Sequence, residues 1–134
     1  MQLEKITDSN FVDVTEKWFN DHQDGLVILK FEATWCGPCT MMTSMLEGLP
    51  EDYFPEDVKL YSIDIDEAND LAKLFKITAI PTLVFLNKTQ FTSLLESDLS
   101  DVTNKNITCT QGAMSPMDIK SMINELKGDK KNDE

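Results

Sequence analysis

The chain is short of cysteine, histidine, cationic side chains and long apolar runs, and each shortage closes off a class of function. Among 134 residues there are three cysteines and one histidine. A structural zinc site wants four ligands, commonly two Cys pairs or Cys with His. If Cys36 and Cys39 supplied two of them, only Cys109 and His22 would remain, far apart and unpaired. No apolar run approaches the ~20 residues that cross a bilayer, so no membrane partner is expected. Twelve Lys and Arg stand against 24 Asp and Glu, a formal charge of -12. That balance argues against a nucleic-acid partner, and its ordinary meaning is a solvated acidic surface. The stretch from Met1 to Asn10 is polar and lacks the apolar segment of a signal peptide. A cytoplasmic, reducing location is therefore expected, which a leader trimmed from the sequence would reverse. Without a signal, the acceptor patterns Asn87-Lys88-Thr89 and Asn106-Ile107-Thr108 are read as coincidental.

What the chain does have is Trp35-Cys36-Gly37-Pro38-Cys39. Two cysteines separated by two residues can close a small disulfide ring and open it again. The first sulfur can attack a substrate disulfide, and the second can resolve the mixed disulfide. The flanks support this chemistry. Leu26-Val27-Ile28-Leu29 is a continuous apolar run, the pattern of a buried central strand. Thr40 to Leu46 reads as a helix, so the motif sits where a strand turns into a helix. Cys36 is then expected at the helix N-terminus, where free N–H groups and the helix dipole favour a thiolate. Its pKa should fall from the ordinary ~8.5 toward ~7. Cys39, one turn further in, is expected to be more buried and suited to resolving. Pro38 stiffens the first turn at no cost in hydrogen bonds.

Length and a hydrophobic fraction of 41% predict a single domain with its own core. A short edge strand is expected over Leu3–Ile6. A helix capped by Asp8 or Ser9 should run to about Gln23, with Phe11, Val12, Val14, Trp18 and Phe19 on its apolar face. Strands are predicted over 26–33 and 58–65, with a short helix over 67–75. Ile80-Pro81-Thr82-Leu83-Val84-Phe85-Leu86 places a proline at the mouth of a strongly apolar strand, where a missing donor is tolerated. Ser115-Pro116-Met117-Asp118 is a strong helix start. The helix it opens is expected to end at Lys127, stopped by Gly128, with a polar tail over 128–134. Met41, Met42 and Met45 are read mainly as core filler, and His22 as a surface residue.

Taken jointly and in order, Trp35-Cys36-Gly37-Pro38-Cys39, Ile80-Pro81-Thr82 and Gly112 make the chain resemble the thioredoxin family over about Leu3 to Lys127. The resemblance implies an α/β thioredoxin fold: three layers, with helices on both faces of a central mixed sheet. It implies a single domain over 1–127 and most simply a monomer. It implies a thiol-disulfide oxidoreductase, a protein-disulfide reductase with catalytic Cys36 and Cys39. Cys36 should be exposed at the strand edge. Ile80-Pro81 should be a cis peptide facing the cysteines. Trp35, Gly37, Pro38, Ile80, Pro81, Thr82 and Gly112 would form the substrate surface. No cofactor beyond the cysteine pair is implied. The partners would be disulfide-bearing proteins and a thioredoxin reductase-like electron donor. A binding or assembly module with little turnover, or a more oxidising oxidase or isomerase, are the competing readings.

The largest departure from the family is the stretch from about Asn87 to Thr110, an extended hairpin insertion at about 88–106 before the last strand, in which Phe91 to Leu95 either lengthen the hairpin or form a turn of helix. The other departures lie near the cysteines. Six residues before Cys36, where the family usually has a buried Asp, stands Lys30, and the family's partner lysine falls at about Ser62. Strand alternation puts Lys30 and Glu32 on one face. Either the two pair and Glu32 takes over proton relay, or Lys30 snorkels to solvent. A cation there favours the reduced form, so a potential ~10–40 mV above the family's about −270 mV is expected. Ser44 replaces a helix proline, so the kink that proline would give is not expected, and Thr40 replaces a common basic residue. Cys109, in the returning strand, is read as a buried inert thiol or a regulatory one.

Overall fold

The computed structural model describes residues 1–96 and 106–132. Its centre is β2 (Leu26–Glu32), the apolar run singled out above, whose first six residues are all buried. A strand needs neighbours on both edges to be buried this way. Here β3 (Val58–Asp64) pairs with it in parallel and β4 (Thr82–Asn87) antiparallel. The two-residue β1 (Glu4–Lys5) adds to β3, and β5 (Thr108–Gln111) adds to β4. The sheet is mixed, in the order β1-β3-β2-β4-β5.

Alternation divides the core into two halves. Val27, Leu29 and Phe31 join Tyr61, Ile63, Val84 and Leu86 on one face, against α1 (Phe11–Asp21) and α3 (Asn69–Leu74). Leu26, Ile28, Leu60, Leu83 and Phe85 face the other way, against α2 (Gly37–Glu47) and α5 (Pro116–Asn132). The three layers are those expected. A fully buried aromatic such as Phe19 contributes about 3–5 kcal/mol against alanine at such a place. Gly25 ends the turn into β2 because a Cβ there would lie 2.5 Å from the Trp18 ring.

Four local expectations change. Asp8 does not cap α1: the residue at that cap is Asn10, which makes no side-chain cap bond to the helix. The Asp8 carboxylate instead accepts the N–H groups of Asp70 and Leu71, at 3.2 and 2.9 Å, and so caps α3 from across the fold. Of the two readings of the insertion's start, a longer hairpin and a turn of helix, the hairpin gives way to the helix. The insertion opens with α4 (Lys88–Glu96), which buries Phe91 and Leu94 beside α1, with the Phe11 and Phe91 rings 5.8 Å apart. Residues 97–105, and with them most of the loop expected there, lie outside the described residues. Gly128 does not stop α5, which continues to Asn132. A glycine costs a helix only about 1 kcal/mol, and Lys127 ties that turn to Asp57 at 2.6 Å and to the Asp24 carbonyl at 2.8 Å. The tail expected over 128–134 is therefore helical through Asn132. Finally, only Met42 is core, whereas Met41 and Met45 are exposed on α2. The cap at Ser115 is as read, its hydroxyl accepting the Asp118 N–H at 3.1 Å. His22 is half-buried and stacks on Trp18.

Candidate active site

The turn from β2 into α2 carries both reactive cysteines. Cys36 is the N-cap of α2 in extended conformation, and its Sγ accepts the Cys39 N–H at 3.2 Å. The helix N-terminus thus directs a backbone donor at the first sulfur, where an anion is favoured. Pro38 occupies the first turn without loss of a bond. Cys36 and Cys39 are joined as a disulfide, with Cα atoms 5.3 Å apart. Cys36 is less open than expected, at 7% exposure, against 1% for Cys39. The reason is packing: the pair sits on Ala33, with Ile65 and Ile80 against it. The exposed group beside it is Trp35, whose indole N–H donates to Asp66 at 2.8 Å.

Ile80-Pro81 is a cis peptide, and Ile80 packs against the cysteine pair. The Gly112 N–H donates to the Pro81 carbonyl at 2.8 Å, which joins the start of β4 to the end of β5. Gly112 has φ +93, a conformation closed to most side chains, and the space around it is open. Thr82 is brought to the same region, but its side chain is buried and bonds back to the Ala79 carbonyl at 2.5 Å. Gly37 lies open at the head of α2.

Beneath the pair, Lys30 is fully buried and does not snorkel. Its ammonium donates to Glu32 Oε1, to Thr43 Oγ1 at 2.7 Å and to the Cys39 carbonyl at 3.3 Å. Thr43 in turn donates to Glu32 Oε1 at 3.1 Å. All three donors of the ammonium are used, as a buried ion requires if its desolvation of several kcal/mol is to be offset. Ser62 stands beside Lys30 in register on β3. Thr43 and Asp66 escaped the sequence reading. Thr43 lies four residues after Cys39, so helical spacing alone puts both on one face. Asp66 had no local signal, since only the parallel pairing of β2 with β3 brings its turn beside Trp35.

Cys109 is not buried. It is exposed on the edge strand β5, although partial burial of the thiol pushes its pKa up. Among the described residues no group of three or more His, Cys, Asp or Glu is arranged to hold a metal, and no helix is long and apolar enough to cross a membrane.

A redox-type α/β domain is defined by these features together: a Cys-x-x-Cys pair heading the helix after a central strand, with a cis-proline loop packed beside it. The family model Thioredoxin matches residues 2–108. Thioredoxin-2 of Saccharomyces cerevisiae is 44% identical over 62 residues, which cover 46% of this chain and 58% of that protein. The chain thus spans little more than half the length of this relative. Thioredoxin of Staphylococcus saprophyticus is 39% identical over 63% of this chain and 73% of its own length. The solved structure of the germline-specific thioredoxin Deadhead of Drosophila melanogaster superposes with a TM-score of 0.67 at 26% identity, covering 93% of this chain and 99% of that one. The chain belongs to the thioredoxin family.

Proposed function

We propose that the chain reduces protein disulfides by dithiol–disulfide exchange through Cys36 and Cys39. The observation that carries this reading is the placement of Cys36 Sγ at the head of α2, bonded by the Cys39 N–H. In the reduced protein the Cys36 thiolate attacks one sulfur of a substrate disulfide. The substrate S–S bond breaks, and its other sulfur leaves as a thiolate that takes a proton from water. Cys39 then attacks Cys36 Sγ, closes the ring and releases the second substrate sulfur. Two electrons pass to the substrate, and a thioredoxin reductase-like donor returns them.

Trp35, Gly37 and Pro38, which flank the cysteines in the chain, Ile80, which packs on the pair, and Pro81 with Gly112 bonded to it are assigned to substrate docking, with Thr82 supporting the loop from within. The reading carries with it a reducing compartment such as the cytoplasm, where a reductase keeps the pair charged, and a chain that works as a monomer. It needs no cofactor besides the cysteine pair.

The test is dithiol-driven reduction of a protein disulfide. Cys36→Ser should abolish it. Cys39→Ser should accumulate a mixed disulfide, visible as an added substrate mass under non-reducing conditions, because attack survives and resolution does not. An active Cys36→Ser chain overturns the reading.

A further inference from the structure

A second concave site lies at the end of the sheet away from the cysteines. β2 begins there at Leu26, opposite Asn87 where β4 ends. A cleft of about 600 Å³ opens at this end, lined from the start of β2, the start of β5 and the later turns of α5. Its size falls within the ~300–1,000 Å³ of ligand sites. Leu26, Phe85 and Ile123 line it and are buried, so its floor is apolar. Leu126 adds an exposed apolar side chain at the rim.

Two clamps hold the walls. Lys127 Nζ donates to the Asp57 carboxylate at 2.6 Å and to the Asp24 carbonyl at 2.8 Å, which ties α5 to the turn before β2. Gln90 holds the insertion. Its Oε1 accepts the Asn87 N–H at 2.9 Å, and its Nε2 donates to the Asn106 carbonyl at 3.0 Å. Asn87 Oδ1 accepts the Gln90 N–H in return, at 2.8 Å. Asn106 is kept at φ +54. Asn87, Gln90 and Asn106 all belong to the stretch in which this chain departs from its family, so the cleft is this chain's own.

The groups left over define what fits. Among the described residues, the side chains of Asn106, Thr108 and Asn124 make no hydrogen bond, and all three line the cleft. Each amide or hydroxyl offers both a donor and an acceptor, the mixture that matches the alternating N–H and C=O groups of a peptide. The charges at the cleft are Asp24, Asp57 and Lys127. Asp57 is paired with Lys127, and the Asp24 carboxylate meets no cation among the described residues. The local excess is acidic, as is the whole chain at -12, so phosphates and other anions are repelled.

We propose that this cleft binds an extended peptide segment of another protein, with an apolar side chain over Leu126 and the floor and a basic side chain toward Asp24. The side-chain amides of Asn106 and Asn124 pair with its main chain. The inference does not depend on the reductase reading, which concerns the opposite end of the sheet.

The test is selection of a cysteine-free random heptapeptide pool, displayed on phage, on the full chain with its Cys36–Cys39 disulfide closed. Without peptide thiols, nothing is captured by exchange. Recovered sequences should carry apolar and basic residues and few acids. One of them, synthesised with both ends blocked, should shift the amide signals of Gly25, Asn106 and Asn124 in a nitrogen-15 titration and leave those of Cys36, Ile80 and Gly112 in place. Asn106→Gly preserves the backbone, since glycine takes a positive φ freely. It should weaken binding about fivefold, the worth of one hydrogen bond. Asp24→Asn should weaken binding about threefold and remove its salt dependence, as for an exposed ion pair. Neither should alter disulfide reduction. A pool in which nothing is enriched over the bare support overturns the proposal. So do acidic sequences, shifts gathered around Cys36 and Ile80, or unchanged affinity in both variants.

Discussion

Lys30 and Glu32 carry opposite charges, yet they are not equivalent partners. Lys30 is sealed from water, whereas Glu32 reaches it. Removing the carboxylate strands a buried ammonium, and removing the ammonium leaves a carboxylate that can still be hydrated. Glu32→Gln should therefore cost about 3–5 kcal/mol of stability, the range for breaking a buried pair from one side. Lys30→Met should cost clearly less, and the double variant should recover most of the loss. Urea unfolding of the three chains checks this, and equal losses for the two single variants would contradict it. The pairing also bears on the raised potential expected from Lys30, since a neighbouring carboxylate offsets much of the field the ammonium would exert on the sulfurs. Cys109 poses a different question of access. Partial burial raises its thiol pKa, so less thiolate is present at neutral pH than in an ordinary cysteine. In a Cys36→Ser/Cys39→Ser chain, iodoacetamide should label Cys109 more slowly at pH 7 than a free peptide thiol. The gap should close as pH rises through the raised pKa, and equal rates at pH 7 would sink the account.

At the scale of elements, signals that act over a few residues were legible and signals that act across the fold were not. Ser115 caps α5 where the sequence places it, because a cap and its helix are neighbours in the chain. Asp8 has the same chemistry but serves a helix that begins 61 residues later, at Asn69. No window of sequence contains that pairing. Asp8→Ala should lower stability by about 1 kcal/mol, the usual worth of a capping side chain, and Asp8→Asn should keep most of it. Loss of the cap should also speed amide exchange at Asp70 and Leu71 while leaving α1 protected. Faster exchange in α1 would restore the local reading. The start of the insertion stayed undecided between hairpin and helix for a similar reason. Phe91 and Leu94 have helical spacing, but only contact with Phe11 and Phe19 makes that helix part of the core.

For the whole molecule, the continuous apolar run of β2, the alternation of β3 and the proline at the mouth of β4 were enough to place strands, whereas the three layers on a mixed sheet were anticipated only through the family resemblance. The cysteines and the cis-proline loop were legible because they are marked by rare residues at fixed spacing. The Lys30–Glu32–Thr43 ring was only half legible, since strand alternation gave the first two members and packing of α2 supplied the third. The sheet register also sets where the insertion stands. β4 begins at Thr82 opposite Phe31, near the cysteines, and ends at Asn87 opposite Leu26, at the other end of the sheet. α4 starts at once from that far end, and β5 runs back to Gln111 beside Thr82. A strand of seven residues such as β2 is about 23 Å long, so the two ends are separate places. An anchor attached at the distal end would leave the cysteine end of the sheet uncovered. Any cargo tethered there would meet the reactive end at an effective concentration set by its linker rather than by its abundance in solution.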